Sequence, residues 1–317
     1  MKQPDSAVTA VLPHFKARSG RSHFRKYWDL YVLLIPGLLY FVVFKYAPMW
    51  GILIAFQDYS VFAGMRSSEW VGLHHFREMF GSADFYRVFR NTMLISLYKL
   101  AWGFPGPIVL ALLLNELRSA LYKRSIQTLL YLPHFLSWVI IGGMMVNLLS
   151  PSTGFVNVLL KSLGIEPVFF LASADWFRTV LVASDIWKEI GWGAIIYLAA
   201  LAGIDPQMYE AAIVDGANKW QQIWRITIPS MLSTIVIMLV LRLGHVLDVG
   251  FEQIFVLYNP MVYDVADVIE TYVYRAGIAE GQFGYSTAVG LFKSLVGIVL
   301  VVLANKGAKK LGQEGIF

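Results

Sequence analysis

The sequence has no cysteine among its 317 residues, and charged residues make up only 15% of it. The lack of cysteine excludes disulfides, thiolate metal sites and cysteine-held iron–sulfur clusters. The low charge sets the chain apart from soluble globular proteins, in which about 25% of residues are charged. Hydrophobic residues reach 57%, and the mean hydropathy is +0.58. This composition excludes a disordered protein and is typical of an integral membrane protein.

Long apolar runs recur along the whole chain. A helix needs about 20 mainly apolar residues to cross the hydrocarbon core of a bilayer. Six segments satisfy this requirement: 30–56, 92–114, 126–149, 179–201, 229–249 and 286–305. Spanning strands would show short alternating patterns instead of continuous runs. We therefore expect an all-α integral membrane protein with about six transmembrane helices.

Lys and Arg residues are distributed unevenly between alternate loops. One side carries fourteen, in the N-terminal tail, the loops after the second and fourth spans, and the C-terminal tail, whereas the other side carries seven. Because cytoplasmic segments hold the excess of basic residues, both termini are predicted to be cytoplasmic. The net charge of +5 is attributed to this bias and not to nucleic-acid binding. Residues 1–28 are interpreted as a basic cytoplasmic tail.

The segment 203–229, between the predicted fourth and fifth spans, has strong local structure signals. Asp205 is a good N-cap, and Pro206 suits the first position of a helix. Gly216 permits a turn that a residue with a Cβ atom would resist. A second short amphipathic helix follows, and Pro229 suits the start of the fifth span. The pattern predicts a compact helix–turn–helix beneath the membrane, and a well-capped interhelical loop is the simpler alternative.

A longer pattern runs through this segment. It reads Glu210-Ala211-Ala212, three residues, Gly216, nine residues, then Ile226-Thr227-Ile228-Pro229. It resembles the EAA loop of ABC-importer permeases, with Ile228 in place of Leu as the only departure. In that family the loop is a coupling helix that docks into a groove on an ATPase subunit. The resemblance implies that this contact is formed by Glu210, Ala211, Ala212, Asp215, Gly216 and Ala217.

Four further blocks resemble carbohydrate permeases of the lipo-oligosaccharide, maltose and alginate transport type: 33–64, 131–143, 250–275 and 290–317. The resemblance implies a MetI-like permease fold, with residues 29–317 as the transmembrane permease domain. It also implies one subunit of a binding-protein-dependent importer of oligosaccharides or polysaccharide fragments. Such a subunit forms half of the translocation path in the bacterial cytoplasmic (inner) membrane.

The same resemblance implies the partners. They are a second homologous permease, two ATPase subunits, an extracellular or periplasmic solute-binding protein, the saccharide and membrane lipid. The sequence lacks the phosphate-binding pattern G-x-x-x-x-G-K-[ST], so ATP and Mg²⁺ are expected on the partner ATPases. We expect no cofactor, metal or catalytic residue in this chain, since no histidine or carboxylate repeats with zinc-like spacing. The chain is therefore predicted not to be an enzyme.

Ionisable residues lie within the predicted spans. At bilayer depth they are costly, so they usually face the protein interior or water. Asp185, Lys188 and Glu189 share one helical face, and pairing that holds the bundle together is as good an explanation as substrate contact. A saccharide path needs aromatic faces for CH surfaces and polar groups for hydroxyls. The candidates for this path are Tyr98, Lys99, Trp138, Asn147, Asp185, Lys188, Glu189, Trp192, Arg242 and His245.

Several alternatives remain open at this stage. The runner-up within the importer class is a permease for amino acids, peptides or polyamines, because the loop pattern does not report the substrate. A secondary transporter would commonly contain inverted repeats, which are not evident. A membrane glycosyltransferase using Asp185 and Glu189 would need an acid–base constellation that the sequence does not show. The break at Gly103–Pro107 in the second span is either a hinge or a static kink.

Overall fold

The computed structural model describes residues 27–310, and the chain divides into one unit up to residue 52 and another from residue 53. The predicted basic tail, 1–28, therefore lies almost wholly outside the described residues. In the first unit, α1 (Trp28–Phe41) leads into a π-helical turn (Val42–Tyr46) and a 3-10 helix (Ala47–Phe56) that ends in the second unit. Together these form one apolar helical segment of 29 residues.

The second unit is almost entirely helical. Its first elements are β1 (Gln57–Asp58), α2 (Gly64–Ser67), β2 (Glu69–Trp70), α3 (His74–Gly81), α4 (Ala83–Gly103), α5 (Pro105–Asn115), α6 (Ala120–Tyr131), a 3-10 turn (Leu132–Phe135), α7 (Trp138–Leu148) and α8 (Phe155–Ser162). The remaining elements are α9 (Ala174–Ala202), α10 (Pro206–Val214), α11 (Lys219–Gln222), a π-helical turn (Ile223–Thr227), α12 (Ile228–Gly244), α13 (Phe251–Leu257), a 3-10 turn (Pro260–Val262), α14 (Tyr263–Ala266), α15 (Ile269–Tyr274), a π-helical turn (Arg275–Ala279) and α16 (Phe283–Lys310).

Fewer helices qualify as membrane spans than the sequence predicts. Four segments within residues 27–310 are long and apolar enough: Trp28–Phe56, Ala83–Asn115, Lys219–Gly244 and Phe283–Lys310. A fifth candidate is the pair Ala120–Phe135 and Trp138–Leu148, which is bent by 102°. By length and composition, four segments qualify, or five with the bent pair, compared with the six that the sequence predicts.

Helix α9, the predicted fourth span, explains part of this difference. Its 29 residues extend about 44 Å at 1.5 Å per residue, which is enough to cross a bilayer. The charges of Asp185, Lys188 and Glu189 make its sequence too polar to qualify as a span. The helix nevertheless buries Phe177 and Leu181 completely and packs against α4, α5, α6 and α12. It is thus a central helix whose charges face its neighbours.

The predicted third span is not straight. Helix α6 tightens into the 3-10 turn and stops, and Ser137 starts α7 by accepting the N–H of Ile140 at 3.3 Å. The predicted interruption at Gly103–Pro107 separates α4 from α5 at Phe104. Phe104 nevertheless keeps helical torsions (φ −75°, ψ −45°), so the two helices remain one candidate span, Ala83–Asn115. The sharp bend lies in the third predicted span.

Close backbone packing fixes α9 against the bent pair and α5. A Cβ atom on Gly191 would overlap the carbonyl group of Leu130 in α6. A Cβ atom on Gly193 would lie 2.9 Å from the ring of Pro107 in α5. Glycine is therefore required at both positions, because a larger residue would prevent the helices from packing this closely. This packing places Lys188, Glu189 and Trp192 of α9 beside the bend between α6 and α7.

A small cap precedes α4. Strands β1 and β2 pair antiparallel, with Gln57 opposite Trp70, and α3 packs on α16. Met79, Phe85 and Ile269 belong to one buried cluster that joins α3, α4 and α15. The cap thus packs against the ends of two candidate spans, α4 and α16.

Candidate functional site

The loop 203–229 folds as a helical elbow, a name used here for residues 206–227. Asp205 caps α10 by accepting the N–H of Gln207 at 2.9 Å, and Pro206 occupies the first turn. The helix ends at Val214, just before the turn predicted at Gly216. The predicted helix–turn–helix is therefore present.

The corner of the elbow is closed by two consecutive caps. Gly216 has a φ of +76°, which glycine adopts without steric cost. The N–H of Gly216 bonds the carbonyl of Ile213 at 3.0 Å, and the N–H of Ala217 bonds that of Ala212 at 2.8 Å. These are the two bonds of a Schellman motif. Asn218 then starts α11 with a capping box, so the corner has little freedom to flex.

The elbow presents an apolar tip flanked by carboxylates. Val214 is 88% exposed and Ile213 is 61% exposed, and the side chains of Glu210 and Asp215 are also exposed. Apolar side chains exposed at a capped corner outside the candidate spans are available for contact with a partner protein. The sequence analysis did not include Ile213 and Val214 among the candidate contact residues. Their signal was an apolar pair at the end of a capped helix in a loop predicted to be cytoplasmic.

A second polar group lies inside the bundle and is called the Lys99 cluster (Lys99, Asp185, Arg242 and Gln253). The buried Nζ of Lys99 donates to Asp185 Oδ1 at 2.7 Å, to Gln253 Oε1 at 2.6 Å and to the carbonyl of Val249 at 2.9 Å. These contacts join α4, α9 and the segment that follows α12. An ammonium has three donors, and all three are used here. Lys99 is therefore a saturated structural cation.

Arg242 differs from Lys99 in its surroundings. Its Nη2 lies 3.9 Å from Asp185 Oδ2, and its side chain is 48% exposed. With Lys99 and Arg242 positive and Asp185 negative, the cluster carries one excess positive charge. Arg242 is the member of this cluster with donors available to a ligand.

His245 and Asp248 lie just beyond α12 and form an ion-pair group that lines the same small cleft as Lys99 and Arg242. His245 Nδ1 lies 3.1 Å from Asp248 Oδ2, and Lys293 Nζ lies 2.6 Å from Asp248 Oδ1. Burial alone would raise the pKa of the Asp248 carboxyl, but hydrogen bonds from Lys293 and His245 outweigh burial and leave the pKa below its ordinary value. His245 therefore has an identified carboxylate partner.

A third group surrounds the bend between α6 and α7 and is called the bend cluster (His134, Trp138, Lys188, Glu189 and Trp192). Lys188 Nζ donates to the carbonyls of His134 at 2.6 Å and Leu136 at 2.9 Å. His134 Nδ1 lies 2.9 Å from Glu189 Oε2. The His134 ring stacks on Trp192 with centroids 4.4 Å apart, and Trp138 lies 5.7 Å from Lys188 Nζ.

The bend cluster combines aromatic faces with polar groups. Trp192 is partly exposed, and the Glu189 carboxylate is 42% exposed. Broken helices are tolerated at membrane depth where the break is buried in protein or lines a cavity. This arrangement can present a ring face and an acceptor to a polar, non-aromatic ligand.

Two predicted path residues lie outside these clusters. Tyr98 lines a separate cleft of about 680 Å³ with Trp102 and Arg178. Asn147 Nδ2 donates to the carbonyl of Gly143 at 3.0 Å within its own helix, and it lines another cleft beside Trp187. The other predicted path residues fall in the Lys99 cluster, in the bend cluster or, for His245, beside Asp248. Gln253 was missed because it lies outside the predicted spans.

Comparison with known proteins places these features in a family. Residues 103–311 match the family described as binding-protein-dependent transport system inner membrane component. The chain is 53% identical to Protein LplB of Bacillus subtilis (strain 168), with 91% of each chain covered. It is 50% identical to the polygalacturonan/rhamnogalacturonan transport system permease protein YteP of the same organism, covering 91% of this chain and 90% of YteP.

Solved structures show the same fold. A bacterial ABC transporter involved in the import of the acidic polysaccharide alginate contains a chain that matches with a TM-score of 0.86 and 44% identity, covering 92% of this chain and 98% of that one. The alginate transporter in complex with alginate pentasaccharide-bound periplasmic protein matches with a TM-score of 0.87 and 44% identity, covering 93% and 99%. The chain therefore has the mostly helical ABC-importer permease fold and belongs to the binding-protein-dependent transport system inner membrane component family.

Proposed function

We propose that this chain is a transmembrane permease subunit of an ATP-driven importer, which receives oligosaccharides from a solute-binding protein. The observation that carries the proposal is the elbow, a doubly capped corner with Ile213 and Val214 exposed at its tip. A rigid apolar tip of this kind is suited to a groove on a moving partner. The family membership and the saccharide transport named for YteP and the alginate transporter support the same assignment.

In this proposal the chain performs no chemistry of its own. Partner ATPase subunits bind ATP and Mg²⁺, and a second permease completes the translocation path. Residues Glu210, Ala211, Ala212, Asp215, Gly216 and Ala217 form the ATPase contact together with the exposed tip. Closure of the ATPase pair moves both elbows together and turns the cavity outward, and reopening after hydrolysis turns it inward. Both termini lie on the cytoplasmic side.

The substrate of this proposal is an anionic oligosaccharide. The ammonium groups of Lys99 and Lys188 already donate hydrogen bonds to protein carbonyl, amide and carboxylate oxygens. The Arg242 side chain is half-exposed, and its partner Asp185 is 3.9 Å away. A guanidinium binds a carboxylate through two parallel hydrogen bonds, which makes Arg242 the group suited to a uronate. The transport of polygalacturonan named for YteP and of acidic alginate named for the structural match is consistent with this charge.

The bend cluster supplies the remaining contacts in this proposal. Trp192 and Trp138 offer faces to the CH surfaces of a sugar ring, and Glu189 accepts hydroxyl hydrogen bonds. Tyr98 and Asn147 stay path candidates at a distance from both clusters, in clefts that a partner subunit would complete.

The test is ATPase activity of the chain copurified in lipid with its neighbouring permease and an ATPase. Addition of sugar-loaded binding protein is expected to stimulate ATP hydrolysis. The Gly216→Pro variant is expected to lose this stimulation, because proline cannot adopt a φ of +76°. Gly164→Pro is the matched control, since Gly164 has a φ of +77° but lies in a different loop. Full stimulation in a correctly inserted Gly216→Pro complex would contradict the proposal.

A further inference from the structure

The first helix of the elbow is hydrogen-bonded to the base of α12. The hydroxyl of Tyr209 in α10 lies 2.9 Å from Thr227 Oγ1, at the end of the π-helical turn that leads into α12. Thr227 is only 4% exposed. The buried Gln222 also donates from Nε2 to the carbonyl of Ala217 at 2.9 Å. Side chains thus connect the two arms of the elbow on its inner side.

The second arm of the elbow is continuous with the fifth predicted span. Residues Lys219–Gly244 form one helical segment of 26 residues. The Schellman motif at Gly216 and the capping box at Asn218 close the corner between the arms. Because the corner is capped and its inner side is bonded, α10, α11 and α12 should move as one rigid body.

In the described part of the chain, the elbow is joined to α9 by a short link and by apolar contacts, and not by side-chain hydrogen bonds. Helix α9 ends at Ala202, and the link up to Asp205 makes short-range bonds, such as Gly203 N–H to Ala200 O at 3.2 Å. Within residues 27–310, no side-chain hydrogen bond or ion pair joins α10 to α9. Leu201 of α9 and Met231 of α12 instead share an apolar cluster, and apolar surfaces can slide without breaking directional bonds.

The far end of this rigid body carries Arg242. Helix α12 has 17 residues and extends about 26 Å, with Arg242 in its last turn. The 3.9 Å contact between Arg242 and Asp185 is the polar link between α12 and α9 among the described residues. By comparison, Asp185 is held by Lys99 of α4 at 2.7 Å. Movement of α12 would therefore break the Arg242 contact first.

We propose that the Tyr209–Thr227 hydrogen bond makes the elbow and α12 one lever, through which ATPase movement changes the Arg242–Asp185 contact. The inference rests on the proposed function, because it takes the elbow as the ATPase contact. Tyr209 is a positioning residue and touches no substrate. Without its hydroxyl, α10 can follow the ATPase while α12 lags behind.

The experiment measures saccharide transported per ATP hydrolysed in the reconstituted complex. Tyr209→Phe and Thr227→Val are each expected to lower this ratio about two- to tenfold, the factor equivalent to one neutral hydrogen bond. Thr227→Ser keeps the hydroxyl and is expected to preserve the ratio. Thr227→Val also removes the 3.4 Å hydrogen bond from the Thr227 hydroxyl to the carbonyl of Gln222, so the double variant is expected to be no worse than Thr227→Val alone. Tyr122→Phe is the control, because Tyr122 is an exposed tyrosine of α6.

A second measurement follows the end of α12 that carries Arg242. The chain has no cysteine, so Leu241→Cys places a single thiol next to Arg242, at a position that is 43% exposed. Its labelling rate by a thiol reagent is expected to depend on nucleotide, and this dependence should be lost when Tyr209→Phe is added. An unchanged transport ratio and unchanged nucleotide dependence in Tyr209→Phe would overturn the lever.

The two levels of the proposal fail in different ways. If the unmutated chain forms no complex with an ATPase, or Gly216→Pro couples normally, the proposed function fails. If the complex forms, Gly216→Pro uncouples it and Tyr209→Phe behaves as the unmutated chain, only the lever fails.

Discussion

Replacement of Lys188 by methionine tests how the bend between α6 and α7 is held. Lys188 is buried, and its ammonium donates to the carbonyls of His134 and Leu136 at 2.6 and 2.9 Å. These carbonyls lie where the chain turns by 102° between two helices. Methionine has similar length and fills the space, but it leaves both carbonyls without this donor.

The size of the effect follows from the two bonds that are lost. Hydrogen bonds to charged groups contribute about 1.5–3 kcal/mol each in soluble proteins, whereas interhelical bonds in membranes average about 0.6 kcal/mol. Two bonds between these limits contribute about 1–6 kcal/mol. Because both carbonyls lie at a helix break, which cannot satisfy them internally, we expect a loss of about 3 kcal/mol in the free energy of unfolding.

The assay is reversible unfolding in mixed detergent micelles. Lys161→Met is the matched control, since Lys161 is exposed in α8 and its loss should change the free energy of unfolding by less than about 0.5 kcal/mol. A Phe135→Cys reporter, exposed at the bend, is expected to label faster in the Lys188→Met background. If Lys188→Met unfolds with the same free energy as Lys161→Met, the ammonium does not hold the bend.

Two further predictions concern charge. Arg242→Gln is expected to lower uptake of an anionic oligosaccharide about tenfold relative to a neutral one of equal length. Arg242→Lys should be intermediate, because lysine keeps the charge but cannot form two parallel hydrogen bonds with a carboxylate. Equal losses for both sugars in competition uptake would argue against a carboxylate contact. The lowered pKa of Asp248 predicts a stabilising contribution that is present above the unfolded pKa of about 3.9 and is lost as the pH falls through the folded value. The free energy of unfolding should therefore fall more between pH 6 and pH 3 in the unmutated chain than in Asp248→Asn, and identical profiles would contradict the ion pair with Lys293.

The elbow was predictable from the sequence because its determinants are local. Asp205, Pro206 and Gly216 each act on backbone groups within a few residues, so position in the chain is enough to place α10 and its turn. Even the capping box at Asn218 follows from residues three apart. Local signals of this kind do not depend on how the helices pack.

The polar clusters were predicted only in part, because their contacts join distant segments. Lys99 and Asp185 were both recognised as intramembrane charges, but their pairing depends on the packing of α4 against α9. Gln253 is 154 residues from Lys99 and lies outside every predicted span. The bend had local signals, with Pro133 and Ser137 flanking it, but they lie inside an apolar run that reads as one helix.

Helix α9 is too polar to be recognised as a membrane span from its composition, and the reason bears on the mechanism. Its charges serve different neighbours: Asp185 holds α4 through Lys99, and Lys188 holds the bend through two carbonyls. Close, saturated contacts of this kind fix α4, α6, α7 and α9 relative to one another. Helix α12 instead meets α9 through apolar side chains and the 3.9 Å contact of Arg242. The close polar contacts therefore hold α9 to α4 and to the bend, whereas the polar contact between α12 and α9 among the described residues is the looser one of Arg242, which is the difference that the proposed lever requires.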